Sequence, residues 1–176
     1  MRAAWRRLRS RKWTALALDA LLIVAVMLAV HAWQTRDLPV DEPAPETVLA
    51  LLDGSGLAHA TRPGEAGIVY FFAPWCFYCK SSIDNLDAIA ADGVTWGTAV
   101  ALDYGSPDEV RAFVEETGIR LPVLMGTPQT AAAWSVHAFP TYYVIDAEGR
   151  ISSRSVGYST WLGMRARAWL ARPPWR

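Results

Sequence analysis

Only two cysteines occur in this chain of 176 residues, Cys76 and Cys79, and that scarcity excludes two uses at once. A structural disulfide framework draws on several cysteines at wider spacing, and a tetrahedral zinc site needs four ligands. The three histidines, His31, His59 and His137, lie at no metal-ligand spacing from the pair. The cysteines are therefore a redox pair, or they are two small hydrophobes of no chemical consequence. Acidic residues are missing from the first 18 positions, where Arg2, Arg6, Arg7, Arg9, Arg11 and Lys12 precede Asp19. From residue 34 onward the balance reverses, with 11 basic residues against 16 acidic. That part carries no basic footprint, which excludes nucleic acid as a partner. Internal repeats are also lacking. Disorder is excluded by composition, since 52% of the residues are hydrophobic and 19% charged.

What is present begins with a greasy segment. Thr14 to Trp33 is almost wholly apolar, centred on the run from Leu21 to Val30. About 20 apolar residues in helix cross a hydrocarbon core of about 30 Å. Asp19 lies near the basic end, where a carboxylate reaches headgroups or pairs with Arg11 or Lys12. Trp13 and Trp33 bracket the segment as interfacial anchors do. The positive-inside rule then places residues 1–12 as a cytoplasmic tail, residues 13–33 as a single transmembrane anchor, and the rest across the membrane. The alternative is a signal peptide cleaved after Ala32, since Val30-His31-Ala32 offers small residues to a signal peptidase. Either way the domain faces a compartment where disulfides persist.

Residues 34–46 combine three prolines with acids and are expected as an extended, solvated spacer. A domain over 47–176 follows. Thr47–Leu52 and Leu57–Thr61 flank Asp53-Gly54-Ser55-Gly56 and predict a short hairpin, with a helix over 46–52 as the other reading. Gly67–Phe72 is a continuous apolar run suited to a central strand buried on both faces. Ala73-Pro74-Trp75 breaks it. A helix is predicted from Cys76 to Ala91, with Ile83, Leu86, Ile89 and Ala90 at helical spacing. Further strands are predicted at 95–102, 122–125, 141–145 and 151–156. Helices are predicted at 107–117, capped by Gly118, at 128–134 and at 160–170. Alternation of this kind makes a mixed α/β sheet covered on both faces.

The chemistry is carried by Trp75-Cys76-Phe77-Tyr78-Cys79-Lys80, at the junction of a buried strand and a helix. Thiol–disulfide exchange needs a thiolate as attacker. A cysteine at a helix amino terminus faces unpaired N–H groups and the positive end of the dipole, both of which favour the thiolate. Cys76 is thus the attacking thiol. Cys79, one turn further, lies on the same side and resolves the mixed disulfide. Trp75 shields the sulfurs and offers an apolar docking surface, and the bulky Phe77-Tyr78 pair narrows the cleft or reads an apolar partner. Lys80 stands equally as a thiolate partner or a surface lysine. His137 is read as a solvated loop residue.

On these residues the chain resembles the thioredoxin superfamily and, within it, the membrane-anchored TlpA-like disulfide oxidoreductases. The marks are Phe71-Phe72-Ala73-Pro74-Trp75-Cys76 through Lys80, Phe139-Pro140-Thr141 leading into a strand, and the turn Asp146-Ala147-Glu148-Gly149-Arg150. The ending from Val156 to Trp161 and onward looks closest to the ScsD-type subgroup, linked to copper-tolerance thiol chemistry in the bacterial envelope. The likeness spans about residues 47–171 and implies a thioredoxin-like fold. It implies that Pro140 is a cis-proline beside the active pair, presenting the backbone of Phe139 to an incoming peptide. Two positions depart from the pattern. Many thioredoxin-like proteins bury an acid where this chain has Tyr70, and reductase-type relatives often place a glutamate where it has Ser82. Deprotonation of Cys79 then falls to water, substrate or another group.

The function expected is dithiol–disulfide exchange with exported cysteine-containing proteins, leaning to reduction. It needs no cofactor, and a membrane thiol–disulfide donor or acceptor resets the pair. Two readings compete: a module holding a soft metal such as Cu(I) between the two thiolates, or a copper-stress module, and a redox-dead tethered docking domain.

Overall fold

The computed structural model describes residues 2–36, 38–93 and 95–172, with side chains from residue 15 onward. It divides into two compact units, Met1–Arg36 and Asp37–Arg176. The first is one helix, α1 (Arg2–Thr35). Its stretch Ala15–Thr35 is 21 residues long with a mean hydropathy of 2.3 and is a candidate membrane span. The leucines, valines and isoleucine of that stretch are exposed, as they would be in either a membrane anchor or a signal segment. The side chains of the basic tail and of Trp13, and the expected pairing of Asp19 with Arg11 or Lys12, lie outside the described residues.

The second unit is a seven-stranded mixed sheet flanked by helices, a thioredoxin-like α/β fold. Its strands are β1 (Val48–Leu51), β2 (Leu57–His59), β3 (Gly67–Phe72), β4 (Trp96–Ala101), β5 (Val123–Met125), β6 (Thr141–Ile145) and β7 (Ile151–Val156). They lie in the order β2-β1-β5-β4-β3-β6-β7. The β3, β4 and β5 strands run parallel, and β6 returns antiparallel against β3. Each strand projects alternate residues to opposite faces. Ile68, Tyr70 and Phe72 of β3 enter one core with Tyr142 and Val144 of β6, while Val69 and Phe71 enter the other with Tyr143 and Ile145. No polar face remains on these strands, which is why their sequences read as unbroken apolar runs. At Gly67 a Cβ would stand 2.0 Å from the Trp96 ring on neighbouring β4, so only glycine fits.

The helices of this unit are α2 (Phe77–Lys80), α3 (Ile83–Ala91), α4 (Pro107–Thr117), α5 (Pro128–Ala133) and α6 (Trp161–Leu170). Ile83, Leu86 and Ile89 of α3, Val110 and Phe113 of α4, and Met164 and Ala168 of α6 fill the first core. Trp134 at the end of α5 anchors the second. Gly118 ends α4 in the left-handed conformation at φ 67°, as its position after the last apolar turn predicts. The hairpin reading of 47–61 also holds, with Val48 paired to His59.

Two expectations change. The helix predicted over 76–91 is broken at Ser81–Ser82 into α2 and α3. The Ser81 and Ser82 hydroxyls donate to the carbonyls of Phe77 and Tyr78, at 2.9 and 2.8 Å, competing with the helical ladder. The spacer is the second correction. Residues 38–44 form no helix and turn at Asp41, which takes the left-handed conformation at φ 58°, and they are docked to the domain instead of running free in solvent. Asp41 N donates to Ile151 O, Ile151 N to Glu42 O and Ala44 N to Gly149 O, while Leu38 sinks to 5% exposure in the second core.

Candidate active site

Past the carboxyl ends of β3 and β4 the chain leaves the sheet, and functional groups of α/β folds gather at such crevices. Leu102 N donates to Phe72 O at 2.8 Å and keeps the two exits together. Ala73-Pro74-Trp75 then turns the chain, closed by Cys76 N donating to Ala73 O at 3.0 Å. Cys76 becomes the N-cap of α2, in extended conformation. Its sulfur accepts the Cys79 N–H at 3.1 Å. Such a donor strengthens when the sulfur is anionic, so the turn favours a Cys76 thiolate.

Cys76 and Cys79 are joined as a disulfide with Cα atoms 5.2 Å apart. Cys76 keeps 5% exposure and Cys79 none, so an incoming group meets Cys76 first. Around them stand three exposed rings, Trp75, Phe77 and Tyr78, at 64, 75 and 60%. Phe77 and Tyr78 meet edge to face at 5.8 Å. Trp75 is held from two sides. Its Nε1 donates to the carbonyl and carboxylate of Asp103 at 3.1 and 3.2 Å, and its ring meets Phe139 edge-on at 5.9 Å. The Phe139–Pro140 peptide bond is cis, and Pro140 O accepts from Gly157 N at 2.7 Å. The structure thus brings Trp75, Cys76, Phe77, Tyr78, Cys79, Phe139 and Pro140 to one end of the sheet.

Lys80 turns elsewhere. Its Nζ pairs with Glu116 of α4 at 2.6 Å, which favours the structural reading of this lysine. His137 is exposed in the loop after α5. Among the described residues no three His, Cys, Asp or Glu side chains gather as a metal site.

The positions occupied by Tyr70 and Ser82 in place of acids are linked to each other. Tyr70 Oη and Ser82 Oγ share a buried hydrogen bond of 2.8 Å. Burial pushes the Tyr70 phenol up from its ordinary value, and the Ser82 bond opposes that only in part. It stays protonated through the physiological range. Tyr70 also stacks at 6.5 Å on Tyr142, whose hydroxyl accepts from Arg167 at 2.7 Å. A neutral hydroxyl pair therefore fills the space beneath α2. Sequence reasoning missed this bond, and it missed Asp103 and Glu116. Their one sequence signal is placement, Asp103 at the exit of a parallel strand and Glu116 on a helix face.

Comparison with known proteins agrees with this geometry. The profile of the AhpC/TSA family matches residues 40–154. The thioredoxin-like protein YneN of Bacillus subtilis is 25% identical over 68% of this chain and 72% of its own length. The thiol:disulfide interchange protein DsbE of Allochromatium vinosum is 29% identical over 81% of this chain and 79% of its own. A solved thiol:disulfide interchange protein from Chlorobium tepidum superposes with a TM-score of 0.66 at 27% identity, covering 76% of this chain and 97% of that one.

Proposed function

Because the chain belongs to the AhpC/TSA family and is a thioredoxin-like disulfide oxidoreductase, we propose that Cys76 and Cys79 exchange dithiol for disulfide with exported client proteins, in the reducing direction. The observation that carries the proposal is the closed Cys76–Cys79 bridge at a helix start, with the Cys79 N–H aimed at the Cys76 sulfur.

In the reduced enzyme the Cys76 thiolate attacks a client disulfide. A Cys76–client bond forms, the client S–S bond breaks, and one client thiolate leaves. Cys79 then gives up its proton to water or to that thiolate and attacks Cys76 Sγ. The second client thiolate departs and the Cys76–Cys79 disulfide remains. Two electrons from a membrane thiol–disulfide donor restore the dithiol. The exposed Trp75, Phe77 and Tyr78 rings give the client an apolar landing surface, and the Phe139 backbone beside Pro140 offers it strand-like pairing. Residues 13–33 hold the domain on the far side of a bacterial inner membrane, with residues 1–12 in the cytoplasm. The ending from Val156 to Trp161 supports a TlpA-like, ScsD-type assignment.

Replacing the resolving thiol tests this reading. Anchored full-length Cys79→Ala is expected to accumulate mixed disulfides through Cys76, released by dithiothreitol and absent from the Cys76→Ala, Cys79→Ala double variant. A Cys79→Ala chain that captures no thiol-reversible partner would overturn it.

A further inference from the structure

Helix α6 turns Met164 and Ala168 into the core, as a helix packed on a domain should. Its outward face is unusual. Leu162, Trp169 and Leu170 are 68, 65 and 71% exposed, and Trp161 is 39% exposed. Away from the redox turn, where Trp75 is exposed, the domain's other described indoles, Trp96 and Trp134, are buried. A solvent-facing helix surface is normally polar, so this one is built to meet something apolar.

Charge separates the candidate occupants. From Gly149 to Arg176 the chain has six arginines and no acid, whereas residues 34–148 hold five basic and sixteen acidic residues. On α6, the Arg165 guanidinium lies 4.8 Å over the Trp161 ring and pairs at 2.6 Å with Asp92, which caps the end of α3. Arg167 bonds Tyr142. A second copy of this chain, docked by two-fold symmetry, would set the Arg165 face against itself with no acid on α6 to meet it. An anionic bilayer surface matches both properties. Indoles and leucines enter the boundary between headgroups and chains, and arginines meet lipid phosphates. The bilayer is also the surface to which the proposed anchor over residues 13–33 ties the chain.

We propose that the Trp161-Leu162-Arg165-Trp169-Leu170 face of α6 seats reversibly in the headgroup layer of an anionic membrane, a second contact beside the α1 anchor. The proposal rests on the anchored reading of residues 13–33.

The test uses the full chain in vesicles of phosphatidylcholine alone or mixed with phosphatidylglycerol, each with a trace of diazirine-bearing phospholipid. Vesicles are floated after photolysis and labelled peptides are mapped. Labelling of 161–170 is expected with phosphatidylglycerol, and Arg165→Gln should lower it by about fivefold. Trp169→Ser with Leu170→Ser should remove it while Cys76–Cys79 oxidation is unchanged. The proposal is overturned if the chain floats but 161–170 is labelled no more than the exposed β1–β2 hairpin. Equal labelling in phosphatidylcholine alone, or capture of α6 by a second chain, overturns it too. A chain that fails to float refutes the anchor, and the α6 contact with it.

Discussion

Tyr70 and Ser82 stand twelve residues apart and meet beneath the redox turn, where their 2.8 Å bond replaces a carboxylate by two hydroxyls. The two partners are not equivalent. Ser82 also donates to Tyr78 O, whereas the Tyr70 hydroxyl depends on Ser82. Ser82→Ala therefore strands a buried phenol, at about 1–3 kcal/mol, while Tyr70→Phe removes one bond at about 0.5–1.5 kcal/mol. Urea unfolding of both variants should rank them in that order, with the double variant costing less than the two singles together. The same burial predicts an alkaline limit. The folded phenols of Tyr70 and Tyr143 are both raised by desolvation, so they hold their protons more tightly than the unfolded chain does. Stability is then insensitive to them below about pH 10 and falls above it, by about 1.4 kcal/mol per pH unit for Tyr70. Comparing urea midpoints at neutral and strongly alkaline pH checks this, and Tyr70→Phe should flatten the loss. Neither effect could be read from the sequence, because both depend on what lies across the core from the hydroxyl.

Among the elements, legibility follows the range of the forces that make them. The β3 and β6 strands were plain because burial on both faces demands unbroken apolar runs, and α4 was plain because Pro107 opens it and Gly118 closes it. The break between α2 and α3 was hidden. It depends on serine hydroxyls that turn back to Phe77 and Tyr78, and on Tyr70 from another element. The α4 terminus gives a clean check. Gly118→Ala places a Cβ at φ 67° and should cost about 1–2 kcal/mol, although open space surrounds the site. At Gly67 sterics dominate instead. Gly67→Ala drives a methyl into the Trp96 ring and should cost at least as much as ordinary overpacking, about 1–3 kcal/mol. Thermal unfolding separates the two cases, since only Gly67→Ala is expected to be relieved by shrinking Trp96.

At the scale of the whole molecule, the compact unit begins at Asp37, ten residues before the expected boundary. Composition alone pointed to a solvated spacer, because prolines and acids do disfavour regular structure. What docks the segment is main-chain bonding to residues 149–151 and the burial of Leu38, neither of which has a compositional mark. Leu38→Ala is expected to destabilise the domain by about 2–5 kcal/mol, and a chain trimmed to residue 47 should unfold at lower urea than one trimmed to residue 37. The redox turn needs no such correction, since a Cys-x-x-Cys pair where a buried strand enters a helix states its own geometry. Its chemistry is tested most directly by equilibrating the protein against glutathione and dithiothreitol buffers and following both thiols by alkylation and mass spectrometry. The account predicts one two-electron transition in which Cys76 and Cys79 react together, with a potential near thioredoxin's, about −270 mV. Two independent one-thiol reactions, with no Cys76–Cys79 disulfide at any potential, would contradict it.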